Sequence, residues 1–176
     1  MSQNISTPTR RSNVTAALFT SATDEWGTPQ EFFDVLDAEF HFTLDPCATP
    51  SSAKCDRYFT KKVDGLAQPW SGRVFMNPPY GRVIGAWLRK AWQESQQGAT
   101  IVCLIPARTD PVYWHDYVMR AAEVRFVRGR LRFDDQDGGR RNSAPFPSVV
   151  VVFRPDSQGP PVVSAMARVT GEAEVA

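Results

Sequence analysis

Asn77-Pro78-Pro79-Tyr80 follows the short apolar run Val74-Phe75-Met76, and its residue types suit one kind of chemistry. An exocyclic amine on adenine or cytosine is a poor nucleophile, because its lone pair is delocalised into the ring. Two acceptors gripping its two hydrogens localise that lone pair toward an incoming methyl group. The side-chain oxygen of Asn77 and the carbonyl of Pro78 offer such a pair, since successive prolines fix the backbone and leave carbonyls without N–H groups of their own. Tyr80 offers a ring on which a base stacks. Catalysis of this type works by orientation and transition-state charge stabilisation, with neither a metal nor a covalent intermediate. The same four residues also read as a proline turn ending a strand, with a packing tyrosine.

Three further acidic or helix-opening segments bear on a methyl donor. Asp45-Pro46-Cys47-Ala48 ends the strand that comes first in an alternating pattern. Ligands of open α/β sheets sit at such carboxyl ends, where Asp45 suits the positively charged amino-acid end of S-adenosylmethionine; a turn or cap aspartate is the plainer reading. Trp26-Gly27-Thr28-Pro29 opens the first helix, whose free N–H groups favour a carboxylate, though Thr28 is a good N-cap with or without a ligand. Asp64-Gly65 precedes the Asn77 strand and puts a carboxylate near a ribose or exocyclic amine, or simply forms a surface turn.

A basic segment points to a polyanion. Arg125, Arg128, Arg130 and Arg132 fall close together, Arg140-Arg141 follow in a Gly-rich loop, and Arg108 lies just past another strand. Arg130 and Arg132, two apart on a predicted strand, share a side and suit phosphates or base edges. Asp134, Asp135 and Asp137 dilute the patch, which also reads as a solvated rim.

The elements that must position these residues are legible from periodicity. Thr28-Pro29-Gln30-Glu31 has the form of a capping box, and Phe32, Phe33, Leu36 and Phe40 continue it as a helix. Phe42–Leu44 and Tyr58-Phe59 are predicted as short strands, and 73–76 as the strand leading into the Asn77 turn. Ile84, Trp87, Leu88, Ala91 and Trp92 mark an amphipathic helix. The unbroken apolar run 100–105 predicts a strand covered on both faces. Another helix starts at Asp110-Pro111, followed by strands over 123–127, 131–133 and 148–153. Alternating helices and strands that end in strands alone predict an α/β fold: a three-layer, mostly parallel sheet with an antiparallel strand near one edge.

Composition places this as one domain over about 23–154, between a mobile arm (1–22) and a flexible tail (155–176). The chain has 176 residues, 42% hydrophobic and 22% charged. With a net charge of +1, attraction to nucleic acid must come from local patches. Cys47, Cys55 and Cys103 form no CxxC pair, which suits reduced thiols rather than a zinc site. No apolar run is long enough for a membrane span and residues 1–20 lack a signal peptide's apolar core, so a soluble cytoplasmic protein is expected. Nucleotide-binding glycine motifs and hydrolase motifs are absent, and His41 and His115 have no evident partners.

Taken in order, WGTP, LDPCA, DGLAQPW, VFMNPPYG, IPARTD, RGRLRF and APFPSVVVVF resemble the phage-type DNA N6-adenine methyltransferase family (Dam-like), over about residues 24–153. The resemblance implies an S-adenosylmethionine-dependent Rossmann-like fold acting on a flipped adenine in double-stranded DNA. It maps Asn77, Pro78, Pro79 and Tyr80 onto the motif that grips the adenine. It maps Trp26, Thr28, Pro29, Asp45, Pro46, Cys47 and Asp64, with Asn77, onto the cofactor side. Pro46-Cys47-Ala48 stands where methyltransferases at large often carry glycines. Recognition is expected from loops 106–115 and 134–147, with Arg108, Arg128, Arg130, Arg132, Arg140 and Arg141 on DNA. Methylation of cytosine N4 or a protein glutamine, and a non-catalytic DNA-binding relic, are the rival expectations.

Overall fold

The computed structural model describes residues 26–134, 143–157 and 159–168. The arm over 1–22, Arg140 and Arg141 lie outside these residues.

The phenylalanine-rich segment forms α1 (Gln30–Phe40), with Phe32, Phe33, Leu36 and Phe40 buried. It stops where His41 turns left-handed (φ 52°) and its N–H bonds the Asp37 carbonyl at 2.8 Å. The predicted capping box does not form at Thr28. The helix begins a residue later, with Pro29 at the cap position and no side-chain cap, because the Thr28 hydroxyl is engaged elsewhere (below). Phe33 packs edge-on against Phe75, centroids 5.1 Å apart, which seats α1 on one face of the strand β1 (Arg73–Met76). Each such fully buried ring contributes about 1.5–3 kcal/mol.

The helix α2 (Ile84–Ser95) buries Ile84, Trp87, Leu88 and Ala91, as its spacing predicts. Next come β2 (Thr100–Pro106), the five-residue α3 (Val112–Asp116), a 3₁₀ turn (Val118–Arg120), β3 (Glu123–Arg128), β4 (Ser148–Phe153) and β5 (Val162–Ala167). The strands make one sheet in the order β1-β2-β4-β3-β5. β1 pairs β2 in parallel and β3 pairs β5 in parallel, while β4 runs antiparallel to both β2 and β3. Four strands therefore share one direction and β4 opposes them, with β3 and β5 outside it. Residues 101–105 and 149–152 are fully buried. Since neighbours along a strand point to opposite faces, both faces of the sheet's centre are covered, as the apolar run predicts. This is the expected mostly parallel α/β, Rossmann-like arrangement, except that the antiparallel strand expected near one edge is β4, third of the five, because both β2 and β3 pair with it.

Five expectations about local elements change. Residues 131–133 form no strand. After Gly129 (φ 80°) the chain leaves the sheet, and the edge of β3 is taken by β5, so Leu131 and Phe133 go into the core instead. The segment after Pro155, predicted as a tail without regular structure, carries β5 itself. Phe42–Leu44 contributes only the bridge from Leu44 to Val74, and Tyr58-Phe59 only the bridge from Tyr58 to Asp45. Finally, the helix predicted from 110 is the short α3 plus the 3₁₀ turn, which still bury Trp114 and Val118.

This topology decides where the polar residues meet. The Leu44–Val74 and Asp45–Tyr58 bridges are parallel, so Asp45 leaves the sheet at the edge where β1 ends in Asn77 and β2 runs on to Arg108. Because β4 is reversed, its first residue, Ser148, opposes Pro106 at that same edge. The segment 143–147 is thereby delivered there too.

Candidate active site

Asn77 is anchored by residues 49 and 51 positions earlier in the chain. Its Nδ2 donates to the Trp26 carbonyl and, at 2.9 Å, to Thr28 Oγ1. A carbonyl only accepts, so the amide orientation follows from this pairing. Asn77 Oδ1, left on the other side of the amide, is buried with no hydrogen-bond partner among the protein groups. A buried amide oxygen left without a donor is costly in an ordinary core; the fixed Nδ2 holds this one with its acceptor capacity unused. Thr28 is thus a positioning residue for Asn77, which explains its missing cap. We expect Thr28→Val to slow turnover several-fold and to show a coupling of about 1 kcal/mol with Asn77→Ala in a double-mutant cycle. Additive effects would place Thr28 outside this role.

Trp26-Gly27 is itself clasped. Gly27 N–H bonds the Asp134 carbonyl at 3.0 Å, and Asp134 N–H bonds the Gly27 carbonyl at 2.8 Å. A Cβ on Gly27 would lie 2.9 Å from that Asp134 oxygen, so glycine permits the approach. The clasp brings Trp26 edge-on to Phe133 (5.5 Å) and Phe146 (5.0 Å). Tyr80 joins them, 6.1 Å from Phe133 and 5.5 Å from Phe146. Its hydroxyl donates to the Leu104 carbonyl at 3.3 Å, and burial holds the phenol well above its ordinary pKa. The ring expected to stack a base is therefore 7% exposed and fixed at both ends. Pro78 is buried and Pro79 half-buried beside it. Sequence reading missed Phe133 and Phe146. The signal for Phe146 was an aromatic locked between Pro145 and Pro147 just before a strong β run.

At the end of the Leu44–Val74 bridge, Asp45 is 4% exposed. Its carboxylate accepts from Cys47 N–H at 3.3 Å and Lys54 N–H at 3.2 Å. Burial raises its pKa to about 6, against the lowering effect of these two N–H groups. Cys47 lies beside Asp45, its thiol pushed up by burial. Pro29 carries the carbonyl that accepts the N–H groups of Phe32 and Phe33, at the first turn of α1. The Pro46 carbonyl is pressed against Gly65, where an added Cβ would come within 1.9 Å. Asp64, next to it, is exposed and left-handed (φ 58°), and accepts from Leu66 N–H at 3.2 Å. Its carboxylate thus serves the turn that places Gly65.

The arginines divide into two kinds. Arg125 belongs to a fixed network: it pairs with both Glu39 oxygens at 2.6 and 2.7 Å, with Glu123 at 2.9 Å, and lies 5.4 Å over the Phe40 ring. Its ion pairs hold the Glu39 carboxyl below the ordinary range. Arg128, Arg130 and Arg132 are exposed; with no strand over 131–133, the shared side predicted for Arg130 and Arg132 has no strand to define it. The Arg130 carbonyl accepts from Arg168 at 3.2 Å. Arg108 is exposed, its guanidinium 6.0 Å over the Phe146 ring. It borders a groove of about 870 Å³ that opens beside Tyr80, Phe146 and Trp26, and that Arg82 and Arg89 also line.

The family model described as DNA N-6-adenine-methyltransferase (Dam) matches residues 15–172. The DNA N-6-adenine-methyltransferase of Haemophilus phage HP1 (strain HP1c1) is 28% identical over 137 residues, covering 75% of this chain and 79% of that protein. The DNA N-6-adenine-methyltransferase of Escherichia phage T1 is 26% identical over 118 residues, covering 65% of this chain but 49% of its own length. Because that family model spans residues 15–172 of the 176, the chain belongs to the DNA N-6-adenine-methyltransferase (Dam) family.

Proposed function

We propose that the protein transfers a methyl group from S-adenosylmethionine to the N6 amine of an adenine flipped out of double-stranded DNA. The observation that carries this reading is the Asn77 amide, whose nitrogen is tied to Trp26 and Thr28 and whose buried oxygen has no donor. That oxygen, with the Pro78 carbonyl, suits the two hydrogens of a planar amine. Since Oδ1 is shielded from solvent, admitting a base requires neighbouring side chains to shift; catalytic hydrogen bonds often tighten only in the complex. Flipping is needed because the amine within a stacked duplex cannot be turned toward a donor. Tyr80 and Phe146 give the extruded base an apolar, aromatic setting.

The residues present fit S-adenosylmethionine. When bound, it supplies an electrophilic sulfonium methyl group. Asp45, at the carboxyl edge, suits the ammonium of its amino-acid portion, and the first turn of α1, entered through Thr28 and Pro29, suits the carboxylate. Pro46, Cys47 and Trp26 border the same edge, and Asp64 holds the turn that supports Pro46.

Asp45 gives this assignment a pH signature. Without ligand its folded pKa, about 6, lies above the ordinary 3.8. The folded state then binds the proton more tightly than the unfolded chain, so this residue's contribution to stability falls as pH rises from about 4 to about 6. Binding of an ammonium requires the ionised form and has the opposite slope. We expect affinity for S-adenosylmethionine to drop by up to about tenfold per pH unit below about 6 and to level off above it. Calorimetric titrations across that range check it; a flat profile in the wild type, or a slope that persists unchanged in Asp45→Asn, rules out the ammonium contact.

The activity itself is tested with labelled S-adenosylmethionine and unmethylated duplex DNA. N6-methyladenine well above an Asn77→Ala control supports the proposal, and label in cytosine N4 or in protein would move it to those substrates.

A further inference from the structure

The groove between the Asn77 turn, the start of α2 and α3 carries a second group of cations, apart from the segment from which the sequence suggested DNA contacts. Arg82, Arg89 and Arg108 line it against one carboxylate, Asp116. All four are exposed. Among the described residues none of the three arginines makes an ion pair, whereas Lys90, Arg125 and Arg154 are each paired with glutamates. Exposed guanidiniums without ion-pair partners along one concavity focus a positive field there, which attracts an anion. At about 870 Å³ the groove has room for more than one base. It opens at Tyr80, 5.5 Å from the Phe146 ring over which Arg108 lies. Arg128, Arg130 and Arg132 are not among its lining residues.

Building on the proposed DNA activity, we propose that this groove is the docking surface for the DNA backbone on either side of the target nucleotide. Arg82 and Arg89 are phosphate contacts, and Arg108 reaches the phosphate nearest the extruded base. The Arg128–Arg132 segment is a secondary contact. Arg82 and Arg89 carry no sequence signature of their own: one follows the Asn77 turn, and the other reads as an ordinary exposed helix residue.

The test measures binding of full-length protein to an unmethylated duplex over a range of salt concentrations. The variants are Arg82→Ala/Arg89→Ala, Arg130→Ala/Arg132→Ala, and Gly85→Leu. Gly85 lines the same groove, and a Cβ there meets only ordinary contact, 3.6 Å from Tyr113; leucine therefore adds bulk to the groove without removing charge. Losing two phosphate contacts is expected to reduce the slope of log K against log salt by about 1.8. Gly85→Leu is expected to weaken DNA binding at least tenfold with its Tm unchanged. S-adenosylmethionine affinity, read by calorimetry, should match wild type in Arg82→Ala/Arg89→Ala. If wild type methylates DNA but Arg82→Ala/Arg89→Ala keeps the full slope, or the slope falls only in Arg130→Ala/Arg132→Ala, the groove assignment is overturned and the activity stands. If wild type neither binds nor methylates DNA, both fail together.

Discussion

Asn77→Ala is expected to lower methyl transfer by at least about 10²–10³-fold, the usual effect of deleting one preorganised polar group at a reacting centre. The loss should fall on kcat, since the group acts on the amine as its lone pair is redirected, and a loss in KM alone would indicate simple substrate binding. Two things disappear together in this variant: the acceptor Oδ1, and the tie from Nδ2 to Trp26 and Thr28. Asn77→Asp separates them. It keeps an oxygen toward the amine but turns a second oxygen against the Trp26 carbonyl, so it should retain more activity than alanine while lowering Tm. If Asn77→Ala kept more than about a tenth of wild-type kcat on DNA, the amide would not be the group that orients the amine. Single-turnover measurement at saturating cofactor reads the chemical step directly.

Gly65→Ala is expected to be the most damaging single methyl group in the domain. The added Cβ would sit 1.9 Å from the Pro46 oxygen and 3.0 Å from its carbon, both backbone atoms, and 3.2 Å from the Trp87 ring. Backbone cannot step aside as a side-chain tip does. The Gly65 carbonyl also accepts from Trp70 Nε1 at 2.8 Å, and Trp70 stacks on Trp87 at 5.9 Å, so the turn is held on its other side. A cost of about 3 kcal/mol or more follows from overpacking of this severity, a Tm drop of about 6–12 °C for a domain of this size. Gly98→Ala is the control. Gly98 has φ 102° with nothing within 4 Å, so it shows the backbone cost alone, about 1 kcal/mol. Equal Tm losses in the two variants would mean the contact with Pro46 relaxes freely. Because Pro46 adjoins Asp45, we also expect Gly65→Ala to weaken S-adenosylmethionine binding beyond its effect on stability.

What the sequence made legible was local. The spacing of Phe32, Phe33, Leu36 and Phe40 fixes a helix face, and the run 100–105 fixes a doubly covered strand, because burial writes its period into consecutive residues. The Asn77 turn was legible for the same reason, being four adjacent residues at a strand end. Misreadings came where a distant partner decides. The Thr28 hydroxyl has the form of a helix cap, yet its partner is Asn77, supplied by the sheet. Leu131-Arg132-Phe133 alternates as a strand should, but β5 holds the edge it would have used. Arg125 looks like part of a nucleic-acid patch until Glu39, brought by α1, neutralises it. Phe146 and Arg82 have no periodic signal; their importance comes from the reversed direction of β4 and from the groove beside α2.

The paired hydrogen bonds between Gly27 and Asp134 have a consequence for how the molecule is built in time. They join the start of the described chain to the segment after β3, with β1, β2 and β3 lying between them. Such a contact closes a long loop, whose entropy must be overcome before the contact can contribute. The sheet can therefore collapse early while Trp26, and with it the carbonyl that holds Asn77, arrives late. A ribosome-bound chain lacking its last third would have Trp26, Thr28 and the Asn77 turn but not the Asp134 backbone that clasps Gly27. Competence for chemistry would then be acquired only near the end of folding.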